Sequence, residues 1–212
     1  MIKDVVVVGA GHAGCEAANA LAKCGFDTAL ITLNIEHIAK MPCNPSIGGP
    51  AKGIVVREID ALGGIMPIIA DKTALQFKML NTTKGPGVWS LRVQSDKLAY
   101  SEMMKEYLLS LDNLTVIEDL VTGLVVKDRK IQGVICQKSG EITAKAVILT
   151  TGTYMDSTIM VSSDTKKEGP DGDITDNGLS RSLKELGFRL FRLKTGTPAR
   201  VYTDSIDFTK TK

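Results

Sequence analysis

Apolar residues fall along this chain in short blocks separated by glycine-rich and polar turns, and the blocks differ in their period. Residues 5–8 are four consecutive valines, the pattern of a strand buried on both faces. Residues 13–24 are small and alanine-rich and stop at Gly25, which predicts a helix closed by a C′ glycine. Residues 26–33 form the second apolar run and complete a βαβ unit. Further helices are predicted over 51–62, with Val55, Ile59 and Leu62 on one face, over 96–111 with Asp96 as N-cap, and over 179–186. Strands are predicted over 114–117, 120–126, 131–137, 144–150 and 188–193; those at 120–126 and 131–137 form a small antiparallel pair. Residues 41–53, 63–95 (around a short apolar segment, 75–80) and 162–177 carry loop signals.

Composition narrows the class without choosing the chemistry. With 212 residues, 43% hydrophobic and 24% charged, the chain can bury a full core and reads as an ordinary globular protein. A net charge of +2 does not announce a nucleic-acid binder, yet leaves room for a local basic cluster. No apolar run is long enough to span a bilayer, and Met1 leads almost directly into the first strand, so no membrane segment or signal peptide is expected. Cys15, Cys24, Cys43 and Cys136 form no C-x-x-C pair and no metal-ligand spacing; no metal is expected, and a reduced, cytoplasmic protein is the reading.

The chemistry enters at the first strand-to-helix turn. Gly9, Gly11 and Gly14 have the G-x-G-x-x-G spacing of a dinucleotide site: the first glycine for the turn, the second for approach of a pyrophosphate, the third for helix packing. The contacts predicted there are Gly9, Ala10, Gly11, His12, Ala13 and Gly14, with His12 acting through its backbone. The acidic residue that usually ends the second strand and grips a ribose is replaced by Thr32, Leu33 and Asn34; Thr32 and Asn34 can still hydrogen-bond a hydroxyl. Thr151 and Gly152, after the strand at 144–150, offer a second backbone contact beside the first turn.

The loop Met41-Pro-Cys-Asn-Pro-Ser-Ile-Gly-Gly-Pro-Ala-Lys-Gly53 has the composition to wrap a planar or phosphorylated ligand, with Asn44 a candidate contact. Cys43 in that loop is the candidate catalytic thiol, with a purely structural thiol as the alternative. Arg92 is read either as a phosphate or flavin-oxygen contact or as a surface residue. Among residues 181–200 the basic side chains Arg181, Lys184, Arg189, Arg192, Lys194 and Arg200 face a single acid, Glu185. That excess suits a phosphate-backbone surface centred on Arg189, Arg192 and Lys194, or else a solvated face.

Several stretches together carry a family resemblance. They are Val-Val-Gly-Ala-Gly-His-Ala-Gly-Cys-Glu-Ala-Ala, Cys43-Asn-Pro-Ser-Ile-Gly-Gly, the run from Ala51 to Gly64, Gln76-Phe-Lys-Met-Leu-Asn-Thr, Lys84-Gly-Pro, Arg92-Val-Gln-Ser-Asp96, Leu-Thr-Thr-Gly-Thr and Arg192-Leu-Lys-Thr-Gly-Thr-Pro-Ala-Arg200. Nearly end to end, the chain resembles the N-terminal part of the MnmG (GidA) family of tRNA wobble-uridine modification flavoenzymes. The resemblance implies an α/β fold: a Rossmann-like FAD/NAD(P)-binding domain of glutathione-reductase type over residues 1–153, with a small antiparallel β addition. Residues 154–212 would begin a second domain on the substrate and NADH side.

It further implies FAD held at Gly9–Gly14 with Val121 on the adenine side, and NADH and methylenetetrahydrofolate as co-substrates. The substrate would be uridine 34 of tRNA, the partner a GTPase of MnmE type, and the assembly a homodimer. The flavin would handle redox steps on a methylene bound for uridine C5. Family members are considerably longer and carry a Pro-x-Tyr-Cys-Pro-Ser segment with a catalytic cysteine, absent from these residues; catalysis by this chain alone is therefore not expected. A Gly-Gly-Arg loop of the family is replaced by Ser163-Asp-Thr-Lys-Lys-Glu-Gly-Pro-Asp-Gly-Asp173. The competing readings are another FAD-dependent oxidoreductase, a folate- and FAD-dependent tRNA uridine methyltransferase, and a non-catalytic nucleotide- or tRNA-binding module.

Overall fold

The computed structural model describes residues 1–175, 178–196 and 201–210. In chain order the elements begin with β1 (Ile2–Val8), α1 (His12–Lys23), β2 (Thr28–Thr32), β3 (Ser46–Gly48), α2 (Lys52–Ala61), α3 (Met66–Lys72), β4 (Ala74–Leu80), β5 (Ser90–Ser95) and α4 (Lys97–Leu109). They continue with β6 (Leu114–Glu118), β7 (Val121–Lys127), β8 (Lys130–Cys136), β9 (Gly140–Leu149), β10 (Ile159–Val161), β11 (Asp164–Lys166) and α5 (Gly178–Glu185). A six-stranded sheet in the order β6-β2-β1-β9-β8-β7 forms the centre. Its first four strands run parallel, and β8 and β7 extend it as the antiparallel addition expected from the sequence. The fold is the Rossmann-like α/β arrangement that the alternating blocks imply.

The valine run behaves as a two-faced strand should. Val7 and Leu30 point into a core with Ala18 of α1, Ile69 of α3 and Tyr100, Met104 and Leu108 of α4. Val6, Val8, Ala29 and Ile31 point to the opposite core, which Val121, Val134, Ile142 and the α5 residues Leu179 and Leu183 complete. Alternate residues of one strand thus serve two cores, which is why the pattern is continuous rather than alternating. Since α5 packs on β7, the chain beyond residue 153 returns to this sheet.

Four expectations change. Residues 63–95, expected as loops, contain α3 and the hairpin β4–β5, which with β3 forms a separate antiparallel sheet in the order β3-β5-β4. The signal was weak because β4 presents both faces to solvent, with Leu75, Phe77 and Met79 exposed, so no buried face imposes an alternation. The inward face of α2 runs through Gly53, Val56 and Ile59 rather than Val55, Ile59 and Leu62, and Val55 and Leu62 are exposed. Gly53 packs closely on this face: a Cβ there would sit 3.1 Å from the Leu91 carbonyl oxygen. Residues 188–193 are not a strand. Phe191 and Leu193 stand exposed, and without a ladder partner β propensity alone does not make a strand. The expected loop at 162–177 instead carries part of the small hairpin β10–β11; Asp176 and Asn177 lie outside the described residues.

Candidate nucleotide-binding site

The ends of β1, β2 and β9 converge where a parallel sheet ordinarily receives ligands, beyond the carboxyl ends of its strands. Each glycine of the turn has its own job. Gly9 has φ +99°, and a Cβ there would lie 2.5 Å from the Thr150 carbonyl oxygen. Gly14 lies against the same turn; its Cβ would meet the Gly9 oxygen at 1.8 Å. Around Gly11 a Cβ would find nothing within 4 Å, so this position faces open space. Thr150 locks the arrangement, its hydroxyl donating to the Val8 and Gly9 carbonyls at 2.9 and 2.8 Å.

Helix α1 starts from Gly11 with no side-chain cap and no acidic residue in its first turn. Its leading N–H groups have no intrahelical acceptor, and the positive end of the helix dipole points outward with them. That combination suits an anion, above all a phosphate. The donor set therefore fits the pyrophosphate of a dinucleotide: an uncapped helix start, backbone free of side-chain cover at Gly11, and a turn only glycine can make.

The open cleft above this turn has a cavity volume of about 160 Å³. It brings together Gly9, Ala10 and Gly11 with Thr151 and Gly152 from the end of β9, and with Thr32, Asn34 and Val121. Residues that the sequence predicted from separate segments thus share one wall-and-floor arrangement. His12, Ala13, Gly14, Cys43 and Asn44 do not line it. The His12 ring packs edge-on against Tyr100, 5.7 Å between centroids, and burial holds its imidazole below the ordinary value, in the neutral form. The neighbouring Pro42 does line the cleft, which puts exposed Cys43 one residue from it. Asn44 is exposed and its carbonyl accepts from Ser46 N at 2.8 Å, part of the turn that leads into β3.

The ribose end departs from the usual arrangement. Thr32 Oγ1 donates to the Asn34 carbonyl at 3.3 Å, and Asn34 Oδ1 accepts from Glu36 N at 2.8 Å, capping a short helical turn. Glu36 itself points to Lys105, 2.8 Å away. Thr32 and Asn34 line the cleft at this end, each already engaged in one local hydrogen bond.

Sequence reasoning missed a group that only folding assembles. Asp173 lies 3.2 Å from His37 Nδ1 and 3.7 Å from Lys40 Nζ, and accepts from the Tyr154 hydroxyl at 3.2 Å; all four residues line the cleft. The pair His37 and Lys40 lies far in the chain from Tyr154 and Asp173, and none belongs to a motif. Asp119, also on the wall, was missed too. Burial raises its carboxyl, but hydrogen bonds from Leu120, Lys138 and Ser139 N–H groups outweigh this and hold it below the usual carboxylate range.

The basic tail divides in the structure. Arg192 is engaged by Asp156, donating to its carbonyl and carboxylate at 2.8 and 2.7 Å, while Arg189 and Lys194 are exposed. Arg200 lies outside the described residues. A shallower groove of about 500 Å³ at the opposite end of β1 is lined by Lys3, Lys130 and Lys145 among others. Lys3 and Lys145 already pair with Asp27 and Asp4, so this groove reads as a solvated face. Among the described residues no cluster of side chains suits a metal ion, and no helix is long and apolar enough to cross a membrane.

Comparison with known proteins gives this geometry a family. The family model described as glucose inhibited division protein A matches residues 4–212. The tRNA uridine 5-carboxymethylaminomethyl modification enzyme MnmG of Metamycoplasma arthritidis is 55% identical over 207 residues, covering 98% of this chain and 34% of that protein. Its counterpart from Onion yellows phytoplasma is 54% identical over 212 residues, 100% of this chain and 34% of that one. The structure of Aquifex aeolicus GidA superposes with a TM-score of 0.93 at 47% identity, over 98% of this chain and 34% of that chain. The GidA-related protein from Thermus thermophilus, 20% identical with a TM-score of 0.65 over 88% of this chain and 69% of that one, shares the fold. The chain spans about a third of the length of the curated relatives it matches. With a family model matched from residue 4 to residue 212 and relatives more than half identical over nearly the whole of it, the chain belongs to the glucose inhibited division protein A (GidA, MnmG) family.

Proposed function

We propose that this chain is the FAD-binding portion of a tRNA-modifying flavoenzyme that forms 5-carboxymethylaminomethyluridine at the wobble uridine of tRNA. In this reading NADH and methylenetetrahydrofolate are co-substrates, a GTPase of the MnmE type is the partner, the assembly is a homodimer and the compartment is the cytoplasm. Residues 154–212 begin the substrate-side unit. The observation that carries the reading is the convergence of Gly9–Gly11, Thr32, Asn34, Val121, Thr151 and Gly152 on one cleft, with the start of α1 uncapped beneath it.

When bound, FAD supplies the redox chemistry on the one-carbon unit. The chain's residues bind and orient it. The N–H groups at the start of α1 take the pyrophosphate, Gly11 leaves room for its approach, Thr32 and Asn34 take ribose hydroxyls, and Val121 flanks the adenine. Cys43 serves as the candidate reactive thiol from the loop beside the cleft; Cys15 and Cys136 are unsuited, because burial pushes their thiols up to about 12 and about 11.

The test is the visible absorption spectrum of the purified chain after incubation with FAD and desalting. A retained flavin band that bleaches with NADH supports the FAD and NADH parts of the assignment. A retained band indifferent to NADH limits the chain to cofactor binding, and a flat spectrum overturns the reading of the cleft.

A further inference from the structure

The β4–β5 hairpin carries a charge arrangement that the fold does not explain. Lys78 and Arg92 are directly opposite on the two antiparallel strands. Like charges in that relation destabilise a sheet. Among the described residues neither is relieved by a carboxylate, and the one polar contact of Arg92 is a long one, Nη2 to Gln94 Oε1 at 3.5 Å. The next pair along the same face is Gln76 with Gln94, and on the other side of Arg92 stands Gly48, which has no side chain to cover it. Lys78 and Gln76 are exposed, Arg92 and Gln94 half-buried. The residue between the last two, Val93, points the other way into the protein and is buried. The face is therefore a polar, cationic platform with unspent hydrogen-bond donors, and none of its residues lines the nucleotide cleft.

At the tip of the same hairpin stands Trp89, the only tryptophan in the chain and 44% exposed. Its indole Nε1 donates to the Lys84 carbonyl at 3.0 Å. The bond fixes the ring against its own loop and leaves part of it in water. An exposed, oriented aromatic ring on the same hairpin as the facing cations, three residues before Arg92 in the chain, supplies the two features used to hold unpaired RNA, a stacking surface for a base and a positive track for phosphates.

We infer that the β4–β5 hairpin is an RNA-contact arm, in which Lys78 and Arg92 take the phosphate backbone of an unpaired stretch and Trp89 stacks on a base. The inference rests on the proposed function only for the identity of the RNA as tRNA. A phosphate between Lys78 and Arg92 would convert their mutual repulsion into a shared attraction. This surface is separate from the tail residues Arg189 and Lys194.

The test uses the tryptophan itself. With the FAD-free 212-residue chain, Trp89 emission is followed while unmodified tRNA, a short oligouridylate or heparin is added. Quenching by both RNAs but not by heparin, which has charge without bases, is the expected result. In parallel, binding of labelled tRNA is measured by polarisation across a salt series. The variant Lys78→Ala/Arg92→Ala should flatten the slope of log affinity against log salt by roughly 0.7 for each phosphate no longer neutralised. The variant Trp89→Ala should weaken binding roughly fivefold to a hundredfold with the slope unchanged.

A structural role would lower the melting temperature of the double variant, whereas relief of like charges leaves it equal or raised; a fall overturns the inference. Tight tRNA binding with unaltered Trp89 emission and an unaltered slope also overturns it and moves RNA contact elsewhere. If no RNA binds while flavin is retained, the arm is refuted and the reading of the cleft stands. If the RNA results hold and flavin is not retained, the arm stands and the reading of the cleft fails.

Discussion

Gly9, Gly11 and Gly14 look equivalent in the sequence but answer to different forces. At Gly14 a methyl group would lie 1.8 Å from the Gly9 oxygen, so Gly14→Ala should cost about 1–3 kcal/mol or more of stability. At Gly11 the backbone is extended, φ −71°, and the space beyond is open. Gly11→Leu should keep the wild-type melting temperature and circular dichroism yet lose retained flavin; wild-type flavin content in that variant would remove the pyrophosphate from this position. His12 gives a second residue-scale expectation. Its imidazole is held low by burial, so the unfolded chain accepts a proton that the folded chain resists. The stability from this group is complete above about pH 6.5 and is lost as pH falls from there towards the depressed folded value. Melting temperature should therefore decline between about pH 7 and pH 5, and the decline should shrink in His12→Gln. An identical profile in the variant would assign the acid sensitivity to other groups.

Between elements, Glu16 makes the contact with the clearest consequence. From α1 its carboxylate accepts from Ile65 and Met66 N–H groups at the start of α3, supplying from another helix the cap that Ile65 does not. Gly64 permits this approach, because a Cβ there would lie 2.2 Å from Ile59 Cγ2 and 2.9 Å from Glu16 Oε2. Glu16→Ala leaves those donors without their acceptor, and urea unfolding should show a loss of about 1–3 kcal/mol. A change below a few tenths would mean that water replaces the carboxylate at no cost. Helix α4 is fixed by comparable bonds. Tyr107 of α4 donates to Asn19 Oδ1 of α1 at 2.7 Å, and Asp96 caps α4 through Leu98 and Ala99 N–H groups.

For the molecule as a whole, the cleft depends on segments that share no local structure. Its walls come from the ends of β1, β2, β7 and β9 and from the chain around Tyr154 and Asp173, so a ligand there ties the parallel sheet to the segment that follows it. Binding to the native state alone adds stability with ligand concentration, roughly 2.7 kcal/mol at a hundredfold excess over Kd. FAD should accordingly raise the melting temperature of the chain progressively, and the rise should vanish in Gly11→Leu. A rise of equal size in that variant would place FAD at another site. The exposed side chains Phe77, Phe191 and Leu193 lie away from this cleft and contribute nothing to it.

The first βαβ unit was legible because each of its signals is local: four valines for a two-faced strand, alanines for a helix, and glycines where the backbone must turn or be approached. The antiparallel pair at residues 120–137 and the Asp96 cap were legible for the same reason. The meeting of Gly9–Gly11, Thr32, Asn34 and Thr151–Gly152 at one cleft followed from their places at strand ends, since every parallel strand delivers its carboxyl end to one edge of the sheet. Other features were decided by neighbours distant in the chain. Residues 188–193 have the composition of a strand and lack a partner; β4 and β5 lack a buried face and form a ladder nonetheless. The face that α2 turns inward, Gly53, Val56 and Ile59, brings Gly53 against the Leu91 backbone and differs from the one its apolar pattern offered. The meeting of Asp173 with His37, Lys40 and Tyr154, and the facing of Lys78 by Arg92, depend on register and closure. Local propensity carries no information about either.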